Sequence, residues 1–396
     1  MKAGVYFENK DRTFRARNIG YTKATTNFDN NLSYLPIGGL FEPQNINNTT
    51  GIKIGEISDP KDSYTASNRL LAYYLMTTIP IGAKFKIVGG ARVEDNLQQL
   101  HSIEPSDLHV VRLLPSANLS YNFTEKMLVR AAYGQTLNRP EFRELSPFTF
   151  YNFNYNFLYS GQASLKTATI QNIDLRWEFY PSKTEMITFG GFYKKFDNPI
   201  EPYVSVNSPG GGVKLITFEN SRNATVYGLE VEVKKSLAGL SGSKFLNNLN
   251  LLFNSAITKS VVNVSGNPAF STGRSTSRPL QGQATYVVNT GIFYTSERTG
   301  WQINLLYNVV GKSVFLVGTD FYHDVYLMPR NVVDLTFNKR LGGRVTLKGG
   351  ITDILNQPML LLQDGNNDKK LDSKTDQVIQ KFRPGQVFSI GFSVRL

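Results

Sequence analysis

The sequence predicts an all-β fold, a transmembrane antiparallel β-barrel of the outer-membrane type. Three observations predict it. Apolar and polar side chains alternate with period two, which puts one kind on each face of a strand. The alternating segments are long, near the 9–11 tilted residues that cross a bilayer rather than the ~5–6 of a soluble strand. The connections between them also alternate, short then long, which sorts turns to one rim and loops to the other.

The alternation is plainest in TIQNIDLRWEFYPS, where Ile173, Leu175, Trp177 and Phe179 interleave with Asp174, Arg176 and Glu178. It recurs at Tyr227, Leu229, Val231 and Val233 against Glu230 and Glu232, and at Val333, Leu335 and Phe337 against Asp334. Phe388, Ile390, Phe392, Val394 and Leu396 repeat it at the chain end. Segments 85–93, 127–136, 170–180 and 301–310 have bilayer length. The charged face is expected inward, because an Arg at mid-bilayer costs about 2–4 kcal/mol. Short connections are read at 9–12 (NKDR), 80–83, 123–126, 181–184, 295–300 and 340–344, with 237–244 in the same register. Long ones are read near 23–62, 95–109, 145–166, 202–218, 262–278, 317–324 and 362–381.

That reading gives about fifteen strands, the first descending from the loop rim through a hairpin at 9–12. An odd number does not close a bacterial barrel. Residues 1–8 and 387–396 are therefore expected to be free edges, and the chain to be part of a longer protein. The start, MKAGVYFENKDRTF, has no apolar stretch of a signal peptide, which leaves a cytoplasmic protein or one lacking its true N-terminus here.

Composition narrows the function classes. With 43 Lys and Arg against 31 Asp and Glu the net charge is +12. The basic residues are scattered rather than gathered in a tail, so nucleic acid is not an expected partner. Cysteine is absent and histidine numbers only 3, which excludes a thiolate metal site and argues against a histidine cluster.

Local motifs resemble a known family. YGQTLNRPEFRELSPFTFYNF (133–153) resembles the S-x-T-x-x-R-P-x-F-R-E-L-x-P-F segment of TonB-dependent outer-membrane receptors, particularly the Bacteroidetes type. VGGARVED (88–95), SLKTATIQNIDLRWEFYP (164–181), NATVYGLEVEV (223–233), RPLQGQATYVVNTGIFY (278–294), LLYNVVGK (305–312) and GITDILNQP (350–358) follow in that family's order. The resemblance implies that residues 1–396 are the C-terminal portion of such a barrel, about the last fifteen of about 22 strands. The plug domain and first strands would be absent. It also implies an energised importer of a scarce ligand such as a siderophore, another metal chelate, a glycan or a peptide. Its partners would be outer-membrane lipid, the TonB complex through the missing N-terminal part, the barrel assembly machinery and an extracellular small ligand. A passive porin or structural barrel is the alternative.

Candidate ligand-binding residues are Arg139 and Arg143, beside Tyr151, Tyr155 and Tyr159 in the aromatic run FTFYNFNYNFLY (148–159). Aromatic faces stack on sugars or aromatic chelates, and arginines hold anions. Packing of these rings on the plug or in an interfacial girdle is the competing reading. Ser389, Gly391 and Val394 match the final-strand pattern that assembly machinery reads in outer-membrane barrels, with Leu396 where Phe is usual.

No cofactor, resident metal or catalytic group is expected. DGNNDKKLD places Asp364, Asn366 and Asp368 like the first ligands of a calcium loop, but Lys369 replaces the Gly and Thr375 the bidentate Glu. GKS at 311–313 lies in strand context, with Leu306 in place of the first Gly of a phosphate loop. No Ser and carboxylate are placed with His101, His109 or His323, so an enzyme is not expected.

Overall fold

The computed structural model describes residues 1–24, 27–205, 213–264, 277–319, 322–366, 368 and 370–395. One antiparallel sheet dominates. Its fourteen long strands follow chain order: β1 (Lys2–Arg15), β2 (Ser63–Ile81), β3 (Phe85–His101), β4 (Ser106–Thr124), β5 (Met127–Asn138), β6 (Ala168–Phe179) and β7 (Met186–Asp197), then β8 (Asn223–Ser236), β9 (Leu249–Asn263), β10 (Tyr286–Ser296), β11 (Trp301–Val310), β12 (Arg330–Leu341), β13 (Val345–Thr352) and β14 (Val387–Val394). A fifteenth strand of two residues, Ser277–Arg278, pairs with β9 off this path.

Strand register carries one face through the sheet, because residues directly opposite each other point the same way. Leu175 lies opposite Gly191, Gly191 opposite Leu229, and Leu229 opposite Ile257. Leu305, Leu335, Ile351 and Phe388 make a similar row. Arg176, Glu178 and Glu232 stand on the other face. There Glu178 is 5% exposed, accepts from Arg130 Nε at 3.0 Å and Tyr180 Oη at 2.8 Å, and lies 3.6 Å from Arg176 Nε. Arg176 Nη2 also reaches Glu232 at 3.4 Å. The charged groups thus pair with one another on one wall, and the other wall is apolar.

The short–long rhythm is present, with two differences from the sequence reading. Residues 9–12 do not turn. β1 runs through them, with Asn9 opposite Arg69 and Arg12 opposite Ala66. β1 therefore rises toward the loop rim instead of descending from it. Residues 95–109 do not form a long loop either: β3 and β4 extend to a connection at 102–105. In both places the strands outrun the bilayer. At 9–12 both faces are exposed, whereas at 96–100 Asn96, Gln98 and Leu100 are buried on the inner face, and in both places polar residues lose their value as turn signals. On the turn rim, Gly300 (φ 69°) and Gly342 (φ 66°) occupy the left-handed conformation that a tight reversal requires.

The sheet is open. β1 pairs only with β2, and β14 only with β13, among the described residues. The deepest burial lies in the long loops rather than between the walls. Thr149–Asn152, Phe157–Ser160, Ile200–Val204 and Lys214–Asn220 form one small sheet. Ser313–Leu316, Val325–Leu327, Met359–Gln363 and Gln377–Phe382 form a second. Val204 N donates to Val317 O at 2.9 Å and ties the two together. Phe157, Val204, Ile216, Leu316, Val325 and Leu361 are their shared core, each such side chain contributing about 1.5–3 kcal/mol on burial.

Candidate functional site

The site is built on the connection after β5. Asn138 ends the strand, and Arg139-Pro140 carries the chain into a single helical turn, Phe142–Leu145. Pro140 fixes an extended entry. Glu141 and Glu144 then cap the turn reciprocally, Glu144 Oε2 accepting from Glu141 N at 2.9 Å. Gly161 closes the loop onto this turn. Its N–H donates to Ser146 O at 2.9 Å. A Cβ there would lie 2.7 Å from the carbonyl oxygens of Arg143 and Glu144, so only glycine allows the approach. Leu145, fully buried, anchors the turn with Tyr64, Ala66, Leu100 and Leu165.

This anchoring lays an aromatic ladder along the inner side of the loop rim. Tyr64 stacks on Phe14 (centroids 5.1 Å apart), and Phe14 meets Phe148 at 4.8 Å. Phe148 stacks on Phe150 at 6.2 Å, and Phe150 on Tyr159 at 5.0 Å. Two guanidinium groups lie on the ladder. Arg143 covers Phe150 at 3.2 Å from the centroid. Arg12 sits 5.9 Å from the Tyr64 ring and 6.0 Å from Phe14. Neither pairs with a carboxylate among the described residues. Partial burial, reinforced by the like charge of Arg12, pulls Arg143 below the ordinary arginine range, although it stays a cation at any physiological pH. Burial pushes the Tyr159 phenol up and keeps it neutral.

The five residues expected from sequence part company. Arg143 and Tyr159 come together through Phe150. Arg139 turns instead to Glu94, a buried carboxylate that also takes Arg92 Nε at 2.6 Å, and so joins the loop to the wall. Tyr155 packs between Phe157 and Phe315. Tyr151 points to the other side of its strand, 53% exposed, donating to Asn156 Oδ1 at 2.8 Å. Arg12, Phe14 and Tyr64 were not marked by any sequence motif. Of the expected assembly residues, Ser389, Gly391 and Val394 lie in the edge strand β14, where Ser389 Oγ reaches Gly350 O at 3.4 Å. Leu396 lies outside the described residues.

A second polar cluster locks neighbouring loops. Glu201, 4% exposed, accepts from Arg278 twice (3.0 and 2.9 Å), from Ser221 Oγ at 2.9 Å and from Gln281 N at 3.0 Å. Gln281 Nε2 donates onward to Phe315 O at 2.7 Å. In the calcium-like loop the carboxylate of Asp376 accepts from the backbone of Gly365 and Asp372. Among the described residues, no group of three or more His, Cys, Asp or Glu is placed to hold a metal. No described helix is long and apolar enough to cross a membrane.

Residues 3–354 match the family model described as TonB dependent receptor-like, beta-barrel. The chain belongs to this receptor family. TonB-dependent receptors are outer-membrane transport proteins, so the apolar wall is the one that meets lipid, and the Arg176–Glu232 wall faces the barrel interior. Solved receptors share the fold at low identity. The unliganded ferric citrate transporter FecA is 13% identical with a TM-score of 0.59, the match covering 84% of this chain and 46% of that one. A ferric enterobactin receptor of Pseudomonas aeruginosa, solved with enterobactin, is 15% identical with a TM-score of 0.52, over 99% and 59%. The ferric yersiniabactin uptake receptor FyuA of Yersinia pestis is 13% identical with a TM-score of 0.53, over 84% and 46%. The chain thus spans about half the length of the receptors it matches. No curated protein sequence matches it.

Proposed function

We propose that this chain is the C-terminal portion of the barrel of a TonB-dependent importer, of the Bacteroidetes type that its RPEFREL segment resembles. Upstream sequence would supply a plug domain, further strands and the TonB contact. The ligand enters from the loop rim, and β14, with Ser389, Gly391 and Val394, serves barrel assembly. The observation that carries the importer reading is the ladder with its two arginines. Arg12 and Arg143 offer positive charge over aromatic faces, with no carboxylate paired to them among the described residues, a combination suited to an anionic, partly aromatic ligand. The similar receptors named for ferric citrate, ferric enterobactin and ferric yersiniabactin supply the first probes.

Uptake of each labelled ferric chelate by cells expressing the complete receptor tests this, with and without a protonophore. An energised importer takes up at least one chelate and loses that uptake when the protonophore collapses the inner-membrane gradient. Arg143→Ala weakens it by about tenfold, the scale of one charge-assisted contact. Uptake that persists with the protonophore would instead describe a passive barrel.

A further inference from the structure

Charge is distributed unevenly between the two rims. In the seven connections of the loop rim, acidic and basic residues balance, seventeen of each. Each of the six connections of the turn rim carries one exposed Lys or Arg: Lys84, Lys126, Lys183, Lys244, Arg298 and Arg344. Only three acids stand among them, and one of these, Glu185, is held by Lys235 at 2.6 Å. An anion in the lumen is therefore drawn toward the turn rim.

That rim also holds a cavity. It measures about 450 Å³ and opens on the inner face of β10 to β13, the size of a small-ligand pocket. Register builds it. Thr295, Gln302, Asn338, Lys348 and Gly391 form one row across β10 to β14, on the face that carries Glu232. Arg340 and Thr346 face each other in the next row toward the turns. Arg340 N donates to Gly300 O at 2.9 Å, and Arg340 Nη2 to Glu297 O at 3.0 Å, which holds the guanidinium at the rim. Opposite Lys348, a Cβ on Gly391 would meet nothing within 4 Å, so the row leaves open space beside the lysine. Arg340 and Lys348 are exposed, and neither pairs with a carboxylate among the described residues. One acid, Glu297, lies in the lining, and the two cations outnumber it.

We propose that this cavity is an exit station for the imported ligand, a small polyanion of the carboxylate-chelate kind. The inference rests on the reading of Arg12 and Arg143 as an entry site for an anion, and extends it to the far end of the lumen. Arg340 and Lys348 hold one anionic group. The hydroxyls of Thr295 and Thr346 and the amides of Gln302 and Asn338 meet the remaining acceptors. Both cations are exposed to water, so the hold is weak, as release on the turn side requires.

The chain has no cysteine. Thr346→Cys therefore places a single thiol between the two cations, once any upstream cysteine is replaced. In the purified complete receptor its rates of reaction with an anionic and a cationic methanethiosulfonate are compared. The anionic reagent is expected to be favoured. Arg340→Gln with Lys348→Gln lowers the ratio about tenfold, the scale of two unit charges at roughly 7 Å in saline. Arg340→Lys with Lys348→Arg keeps it. Ferric citrate slows both reagents, and glucose slows neither. That protection is lost with the two Gln substitutions and retained in Arg143→Ala, so failure of the entry site and failure of this one are read separately. If the doubly substituted receptor does not assemble, Lys348→Gln alone decides, with a roughly threefold fall. A thiol closed to both reagents means that the plug fills the cavity, and overturns the proposal. A ratio unchanged by the Gln substitutions, or no protection by ferric citrate, overturns it too.

Discussion

Arg278 grips Glu201 with both terminal guanidinium nitrogens, at 3.0 and 2.9 Å, across 77 residues of sequence. Both side chains are almost wholly buried, at 11% and 5% exposure. The pair therefore fixes the position of one long loop against another, in surroundings where an unpaired charge is expensive.

Removing one partner should be worse than removing both. Arg278→Ala strands the Glu201 carboxylate and is expected to destabilise the loop cap by about 3–5 kcal/mol. Arg278→Leu combined with Glu201→Leu should recover much of that loss. Limited proteolysis of the loops in the folded receptor, parent against variants, reads the difference. Equal protease resistance in Arg278→Ala and the parent would refute this role.

The two walls predict opposite tolerances. Leu229→Arg puts a charge on the lipid face and is expected to cost about 2–4 kcal/mol near the bilayer midplane. Glu230→Arg, one residue along, changes only the interior wall and should assemble near the parental level. The amount of heat-modifiable barrel in the outer membrane measures both. Equal yields of the two variants would reverse the assignment of faces.

Gly161 predicts a local failure. Gly161→Val forces the backbone away from the turn at Phe142–Leu145, because a Cβ would sit 2.7 Å from two carbonyl oxygens. The expected loss is about 1–3 kcal/mol, seen as early cleavage between residues 139 and 167 while the rest of the barrel stays protected.

Alkaline pH should loosen the cap at one phenol. Burial, with the charge and hydrogen bond of Glu219, pushes Tyr203 up to about 12 from 10.0. The folded state therefore keeps the phenol neutral where the unfolded chain ionises it. The stability it contributes is complete below pH 10 and falls as the pH climbs toward about 12. Tyr203→Phe should flatten that fall. A protease-sensitivity profile over this pH window tests it, and an unchanged slope in the variant would count against the assignment.

How much of this was legible in the sequence follows from what each part depends on. The walls were legible because lipid on one side and charge on the other impose period two, as at Leu175 and Arg176. Residues 9–12 and 95–109 were misread because, beyond the bilayer, Asn, Lys and Asp no longer distinguish a turn from a strand: at 9–12 both faces are wet, and at 96–98 the buried face is itself polar, Asn96 and Gln98 donating to Asn68 and Pro140. The strands of the loop sheets, four or five residues each at Thr149–Asn152 and Ile200–Val204, are too short to show a period. In the site, Arg143 and Tyr159 stood inside a motif. Arg12 and Phe14 did not, because β1 register alone sets Phe14 opposite Tyr64. The role of Arg278 was hidden in the same way: RPLQ was visible as a motif, but its partner Glu201 lies in another loop.

The parallel pairing of Lys214, Leu215 and Ile216 with Phe157, Leu158 and Tyr159 joins strands from different loops, and Val204 hands the connection on to Val317. No loop in this group owns its own fold. Transplanting a single one into another receptor would carry across half of a sheet and leave the other half behind. Exchange of recognition surfaces between such barrels, in the laboratory or by recombination, has to move the segments around 149–160, 200–204, 214–220, 313–317, 325–327, 359–363 and 377–382 as one set.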